Sequence, residues 1–248
     1  VSNRESGIEE YLGFLQSLWI RHPSQFLFGG QAVNFWAEYF DRQSRHGKLT
    51  SFRPFTSKDC DIWVSGRVWK AIKQEEIDRL VIGSSPADGQ LGVLTLQKAP
   101  PRIVDLLSSV YGIRMKDIDR VCERAPVFSG VKVLDPIYLF LSKCHCLLGL
   151  DQSGRQDERH VRMLALILPE YLCLLMANAH QEGIPERSIL REIKLLIKLL
   201  SSSACRKATE QLGIQSDSLV PWERMETCGL KAVEDFAQAK GGRPPSKQ

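Results

Sequence analysis

The stretch Phe26-Leu27-Phe28-Gly29-Gly30-Gln31-Ala32, followed later by Ser57-Lys58-Asp59-Cys60-Asp61-Ile62-Trp63-Val64, decides how the first half of the chain folds. Residues 25–28 read as a short apolar strand that runs into Gly29-Gly30. Residues 32–40 follow as a helix, with Val33, Trp36, Ala37 and Phe40 on one side. A strand, two glycines and a helix bring unpaired helix N–H groups and a partial positive charge to a place where backbone can approach a phosphate. The glycines also suit plain steric needs in such a turn. Residues 59–64 are strand-like, so Asp59 and Asp61 project to the same face.

Two carboxylates side by side among apolar residues repel and raise one another's pKa. A divalent cation relieves that conflict, because Mg²⁺ (or Mn²⁺) takes oxygen ligands from one or two carboxylates together with substrate phosphates. The competing reading is a solvated strand end. Asp105 is the lone acid in the apolar strand segment 102–107, and a charge there needs a partner or a metal. If that strand lies beside residues 59–64, three carboxylates converge in the manner of two-metal phosphoryl chemistry. Otherwise Asp105 leaves the strand at its edge or pairs with Arg102 or Arg114. Lys143 lies in a segment apolar nearly all round its helix. It either faces the acids and binds a phosphate chain or serves structurally, snorkelling to solvent or pairing with Asp157. Ser57 either contacts a phosphate oxygen or shapes the strand entry.

Working outward, residues 8–20 have helical spacing, ended by His22-Pro23. Residues 42–58 read as a polar loop whose Arg42, Arg45, Lys48 and Arg53 add positive charge near the proposed site. Residues 67–80 read as a helix, 84–90 as a turn, and 91–96, 102–107 and 131–134 as strands. Asp135-Pro136 is a good helix start. From there to residue 239 the pattern is helical, with breaks at 151–154, 183–185, 213–221 and near 229. The expected layout is therefore α+β: an α/β domain over 1–134, a helical domain over 135–239, and a disordered basic tail over 240–248.

Composition sets the outer limits. The chain has 248 residues, of which 43% are hydrophobic and 25% charged, so wholesale disorder is excluded. No apolar run reaches the roughly 18 residues of a membrane span, since 137–150 and 164–179 are interrupted by charged residues or proline. The first twelve residues lack a basic start followed by an apolar stretch, so no secretory signal is read there. The seven cysteines are an odd number scattered through apolar segments. Buried thiols in a reducing cytoplasm fit them better than a disulfide framework. Cys144-His145-Cys146 looks like a metal motif, but helical residues two apart point about 200° from each other, so core packing is the better reading. A net charge of +4 permits a nucleic-acid partner without demanding one.

Gly29-Gly30, then Arg53 through Ser57-x-Asp59-x-Asp61, then Asp105, resembles the nucleotidyltransferase superfamily with the DNA polymerase beta fold. Lys143 and the later Arg155-Gln156-Asp157 resemble the downstream motif of its abortive-infection, AbiEii-type toxin branch. The resemblance spans residues 25–160. The Gly30–Asp59 gap is longer than usual for the superfamily, and Gly-Gly stands where Gly-Ser is commoner. The resemblance implies a mixed sheet flanked by helices and transfer of a nucleotide from an NTP to a hydroxyl of RNA (the tRNA 3′ end, for example) or protein. It further implies metal ligation by Asp59, Asp61 and Asp105, and nucleotide contacts from Gly29, Gly30, Ser57, Lys143 and Asp157. A toxin role with an antitoxin partner belongs to the branch. The rival readings are a binding module that keeps the fold without catalysis, and a metal-dependent hydrolase.

Arg187, Arg191, Lys194 and Lys198 form one basic stripe backed by apolar residues. It is either a track for a nucleic-acid backbone or the wet face of an amphipathic helix.

Overall fold

Five short strands make the sheet on which the acids lie. The computed structural model describes residues 5–43, 47–76, 78–82, 89–97, 100–128 and 130–241. Strands β1 (Gln25–Phe28), β2 (Cys60–Val64), β3 (Leu80–Ile82), β4 (Gln90–Leu96) and β5 (Arg102–Leu107) pair in the order β1-β2-β5-β4-β3. Within this sheet β2 and β5 pair in parallel, and the other neighbours are antiparallel. β5 shows strict alternation: Arg102, Val104 and Leu106 are buried, while Ile103, Asp105 and Leu107 are half-buried. That period of two puts Asp105 on the opposite face from Val104 and Leu106. A two-stranded ribbon, β6 (Val127–Phe128) and β7 (Val131–Lys132), lies outside the five-stranded sheet. Just after it, Val133 bridges Leu27 in parallel, and the Leu134 amide donates to the Leu27 carbonyl at 2.8 Å, so the chain runs along the free edge of β1.

Helices α1 (Leu12–Arg21), α2 (Gly29–Gln43), α3 (Gly66–Glu75), α4 (Ile118–Arg124) and α5 (Pro136–Gly149) accompany these strands. α2 begins on the two glycines themselves, earlier than the apolar spacing indicates, and buries Val33, Trp36, Ala37 and Phe40. The Trp36 indole donates to the Leu134 carbonyl at 2.8 Å, tying α2 to the entry of α5. α5 starts as expected: the Asp135 side chain accepts from the Tyr138 amide at 3.0 Å, and Pro136 takes the first helical position. Through its first three turns nearly every side chain of α5 is buried, including Lys143.

The rest of the chain is helical: α6 (Asp157–Glu182), α7 (Glu186–Leu200), α8 (Ser203–Leu212), α9 (Trp222–Met225) and α10 (Lys231–Gly241). The architecture is thus mixed α+β, a five-stranded mixed sheet followed by a helical C-terminal region. The chain divides into two compact units, Val1–Leu164 and Ala165–Gln248, with the boundary inside α6. The change at Asp135 is therefore a change of local structure within the first unit, where α5 packs with α2.

Several expectations need correction. α3 stops at Glu75, and Leu80–Ile82 is an edge strand, because Leu80 pairs with Leu94 across an antiparallel ladder. α4 is an addition to the expected layout; Ile118, Val121 and Cys122 are its buried side, too short a run for periodicity to register. Pro169 does not interrupt α6, which runs for 26 residues. α6 is the one described helix long and apolar enough to cross a membrane by length and composition, and half of its apolar window is buried within the protein. Of the expected tail, Lys240 and Gly241 close α10, and residues 242–248 lie outside the described residues, as do 84–88 of the expected turn.

Candidate active site

Strand register brings the acids together. Asp61 stands beside Asp105 in the parallel β2–β5 ladder, and Asp59 lies just before β2, which begins at Cys60 and not at the expected residue 59. Each of the three offers a carboxylate oxygen, and these oxygens all lie within 4.8 Å of one another. Ionised carboxylates at such separation repel by about 3 kcal/mol per pair at an effective dielectric near 20. Burial first, then the Asp59 charge, pushes Asp61 up to about 8 against the pull of Lys143 and Arg155. Burial and Asp59 likewise push Asp105 up to about 6, although Gln90 donates to it at 2.9 Å. Hard oxygen donors crowded into mutual repulsion are a donor set that a divalent cation satisfies, so the triad fits a metal ion. Neither arginine considered for Asp105 is paired with it: Arg102 binds Glu10, and Arg114 binds Asp117.

The first of the two glycines is required by these acids, and the second lies against Ser57 and His160. Gly29 has φ +68°, and a Cβ there would lie 1.8 Å from Asp61 Oδ2. A side chain at Gly30 would meet Ser57 Oγ at 2.5 Å. The carboxylate of β2 and the hydroxyl of Ser57 thus close directly over the first turn of α2, where the helix amides are unpaired. Ser57 is itself held by a two-way backbone pairing with Ser6, at 2.9 and 3.0 Å.

The positive side of the site comes from α5 and the start of α6. Lys143 Nζ donates to Asp157 Oδ1 at 2.8 Å, and Arg155 Nε donates to Asp157 Oδ2 at 2.6 Å. Both cations favour the ionised form, and Asp157 is held below the usual carboxylate range in spite of its burial. Asp157 therefore orients two cations. Lys58 is anchored to the Gly154 carbonyl at 3.0 Å. A cavity of about 140 Å³ opens among these groups and is lined by Gly30, Ser57, Asp59, Asp61, Lys143 and Asp157 together with Lys58, Arg155 and His160. Asp105 joins from the neighbouring strand rather than from the cavity wall.

Sequence reasoning thus finds the acids, the glycines, Ser57, Lys143 and Asp157, which the structure brings together. It misses Lys58, Arg155 and His160 as cavity groups, and Gln90. Lys58 and Arg155 adjoin motif residues, and His160 follows Asp157 by three positions on one helical face, so spacing holds a signal for each. Of the four loop cations, Arg42 is paired with Glu38 and Arg53 with Asp41, neither of these nor Lys48 lines the cavity, and Arg45 lies outside the described residues.

His160 is 3% exposed, and among the described residues neither ring nitrogen has a hydrogen-bond partner. Each such group costs about 1–3 kcal/mol when left unsatisfied. Burial, Lys143 and Arg159 hold its imidazole far below the ordinary range, so it is neutral.

Elsewhere, Arg187, Arg191, Lys194 and Lys198 are all exposed on α7, while Ile189, Ile193, Leu196 and Leu200 form its buried side. Lys194 lies over the Phe236 ring at 5.2 Å. Cys144 and Cys146 are buried in α5, and His145 meets Tyr111 edge-on. The acids, glycines and cations of the first unit therefore have to be interpreted from their own geometry, for no protein-family model matches this chain and a search of curated proteins finds no significant match.

Proposed function

We propose that the protein is a divalent-cation-dependent nucleotidyltransferase, with a nucleotidyltransferase-like fold of the DNA polymerase beta type, that moves a nucleotidyl group from an NTP to a hydroxyl acceptor. The observation that carries this reading is the meeting of three carboxylates with Gly29-Gly30 at the start of α2. Asp59, Asp61 and Asp105 are the residues that would hold Mg²⁺ or Mn²⁺. When bound, the ion supplies neutralisation of phosphate charge and activation of the acceptor hydroxyl. Gly29 and Gly30 leave room for phosphate oxygens at the α2 amides. Ser57, Lys58, Lys143 and Arg155 add a hydroxyl donor and three positive charges on the same cavity. Asp157 holds Lys143 and Arg155 in place. The acceptor oxygen attacks the α-phosphorus in line, the bond to the β-phosphate breaks, and pyrophosphate leaves. Asp105, steadied by Gln90, is the third ligand or the base that takes the acceptor proton.

The acceptor class follows from the resemblance to AbiEii-type toxins: an RNA, with a tRNA 3′ end as the leading case, or a protein. The exposed basic stripe on α7 offers a track for an RNA backbone. A toxin role with a cognate antitoxin belongs to the same reading.

The test is incubation of the purified chain with labelled NTPs, Mg²⁺ and total RNA. Label appears in RNA or in protein, and Asp59→Asn or Asp61→Asn lowers incorporation by at least about a thousandfold while circular dichroism is unchanged. Free nucleotide products without incorporation would mark a hydrolase. RNA binding without any turnover would mark a binding module.

A further inference from the structure

His160 is a group that the reaction described above leaves unused. It sits in the first turn of α6, three residues after Asp157, and its backbone amide donates to the Gln156 carbonyl at 2.9 Å. Its ring closes over the glycine turn: a Cβ on Gly30 would lie 3.1 Å from His160 Cε1 and 2.5 Å from Ser57 Oγ. The imidazole therefore shares one small space with the α2 amides and the Ser57 hydroxyl. Lys58, Lys143 and Arg155 line that same cavity. Both ring nitrogens are enclosed, and among the described residues neither has a partner.

A neutral imidazole carries one N–H donor and one acceptor nitrogen. Burial and the nearby Lys143 and Arg159 keep this one uncharged. Three cationic side chains, Lys58, Lys143 and Arg155, share the cavity wall with Asp59, Asp61 and Asp157. Once a cation neutralises the acids, the remaining positive charge and the α2 N-terminus favour an anionic ligand that can accept the orphaned N–H. Among the described residues the cavity wall contains no aromatic ring beyond His160 itself and no apolar side chain, which suits phosphate groups and offers a base nothing to stack on.

We infer that His160 is a phosphate-binding residue of the nucleotide site, donating its ring N–H to an oxygen of the phosphate chain seated on Gly30. The inference rests on the nucleotidyltransferase reading and adds a contact on the phosphate chain, so its failure must be separable from the failure of that reading.

Inorganic tripolyphosphate in Mg²⁺ buffer is the probe, with ATP alongside. Binding is followed by calorimetry for the wild type, His160→Phe and His160→Gln. The ring ¹⁵N and N–H resonances of His160 are followed by NMR in the wild type. Losing one donor to an anion weakens binding by roughly 10- to 100-fold in His160→Phe, while the amide of His160→Gln retains affinity within about threefold. The His160 ring resonances move on saturation with tripolyphosphate. If the wild type binds both probes, His160→Phe stays within twofold and the ring resonances do not move, the role of His160 is overturned and the nucleotide site stands. If the wild type binds neither probe, the nucleotide reading falls and the inference falls with it. Should His160→Phe not fold, the glutamine variant and the wild-type resonances decide.

Discussion

Asp61 shows how one side chain ties stability to function. In the cation-free protein it is pushed up to about 8 by burial, Asp59 and Asp105, and Asp105 is pushed up to about 6 by burial and Asp59. In the unfolded chain both return to about 4. Between those values the folded chain holds protons that the unfolded chain has released, so stability falls as pH rises. The contribution is fully present below about pH 4 and is lost progressively up to about pH 8. The expected outcome is a cation-free melting temperature that declines from pH 5 to pH 8. Millimolar Mg²⁺ or Mn²⁺ then raises it more at pH 8 than at pH 6, because binding to the folded state alone stabilises it. Asp61→Asn flattens the pH profile and removes most of the cation response. Thermal unfolding by circular dichroism reads all three, and an undiminished cation response in Asp61→Asn would rule the triad out as the metal site. At this scale the sequence is legible for Asp59 and Asp61, since a two-residue spacing on a strand needs no tertiary knowledge. Asp105 stays ambiguous until pairing places it opposite Asp61 instead of near an arginine.

The start of α2 is where an element is shaped by its neighbours. Helical spacing alone begins the helix at Ala32, because glycine adds nothing to an apolar face. The structure begins it at Gly29, where a left-handed φ and the Asp61 carboxylate leave no room for a Cβ. The two positions are not equivalent. Gly29→Ala must adopt a left-handed φ and displace the Asp61 carboxylate, so it destabilises by about 2 kcal/mol or more and abolishes transfer. Gly30→Ala keeps ordinary helical backbone and gains helix propensity, which offsets part of its crowding of the Ser57 hydroxyl, a side-chain end that can rotate, and of the His160 ring. Its stability stays within about 1 kcal/mol while nucleotide affinity falls. Urea unfolding paired with nucleotide titration distinguishes them; equal destabilisation by both would contradict this account. β3 and α4 escape the sequence for a related reason. Each is short, and each is decided by a partner strand or a packed face rather than by its own periodicity.

Across the whole molecule the formal charge is only +4, so any nucleic-acid affinity depends on where charge is concentrated. α7 presents four exposed cations along one stripe, and in the first unit three cations face the cavity. If the stripe carries an RNA backbone, replacing Arg187, Arg191, Lys194 and Lys198 together by glutamine makes the salt dependence of RNA affinity shallower. The slope changes by about 0.7 for each phosphate that is no longer neutralised, while folding stability changes by no more than about 1 kcal/mol. Filter binding across salt concentrations measures this, and an unchanged slope would leave α7 as a solvated face. By itself the sequence determined the class of fold, the Asp-x-Asp at the start of β2, the glycine turn and the capped start of α5, because period, caps and turn residues act over a few neighbouring positions. Only the tertiary structure decided that Asp105 joins the acids, that Asp157 binds Lys143 and Arg155 at once, that Lys58 and not Arg42 or Arg53 faces the cavity, and that His160 is buried without a partner among the described residues. Those facts depend on which strand lies beside which and on which helix covers them, and the free energy of burying charge is set by that arrangement, not by spacing along the chain.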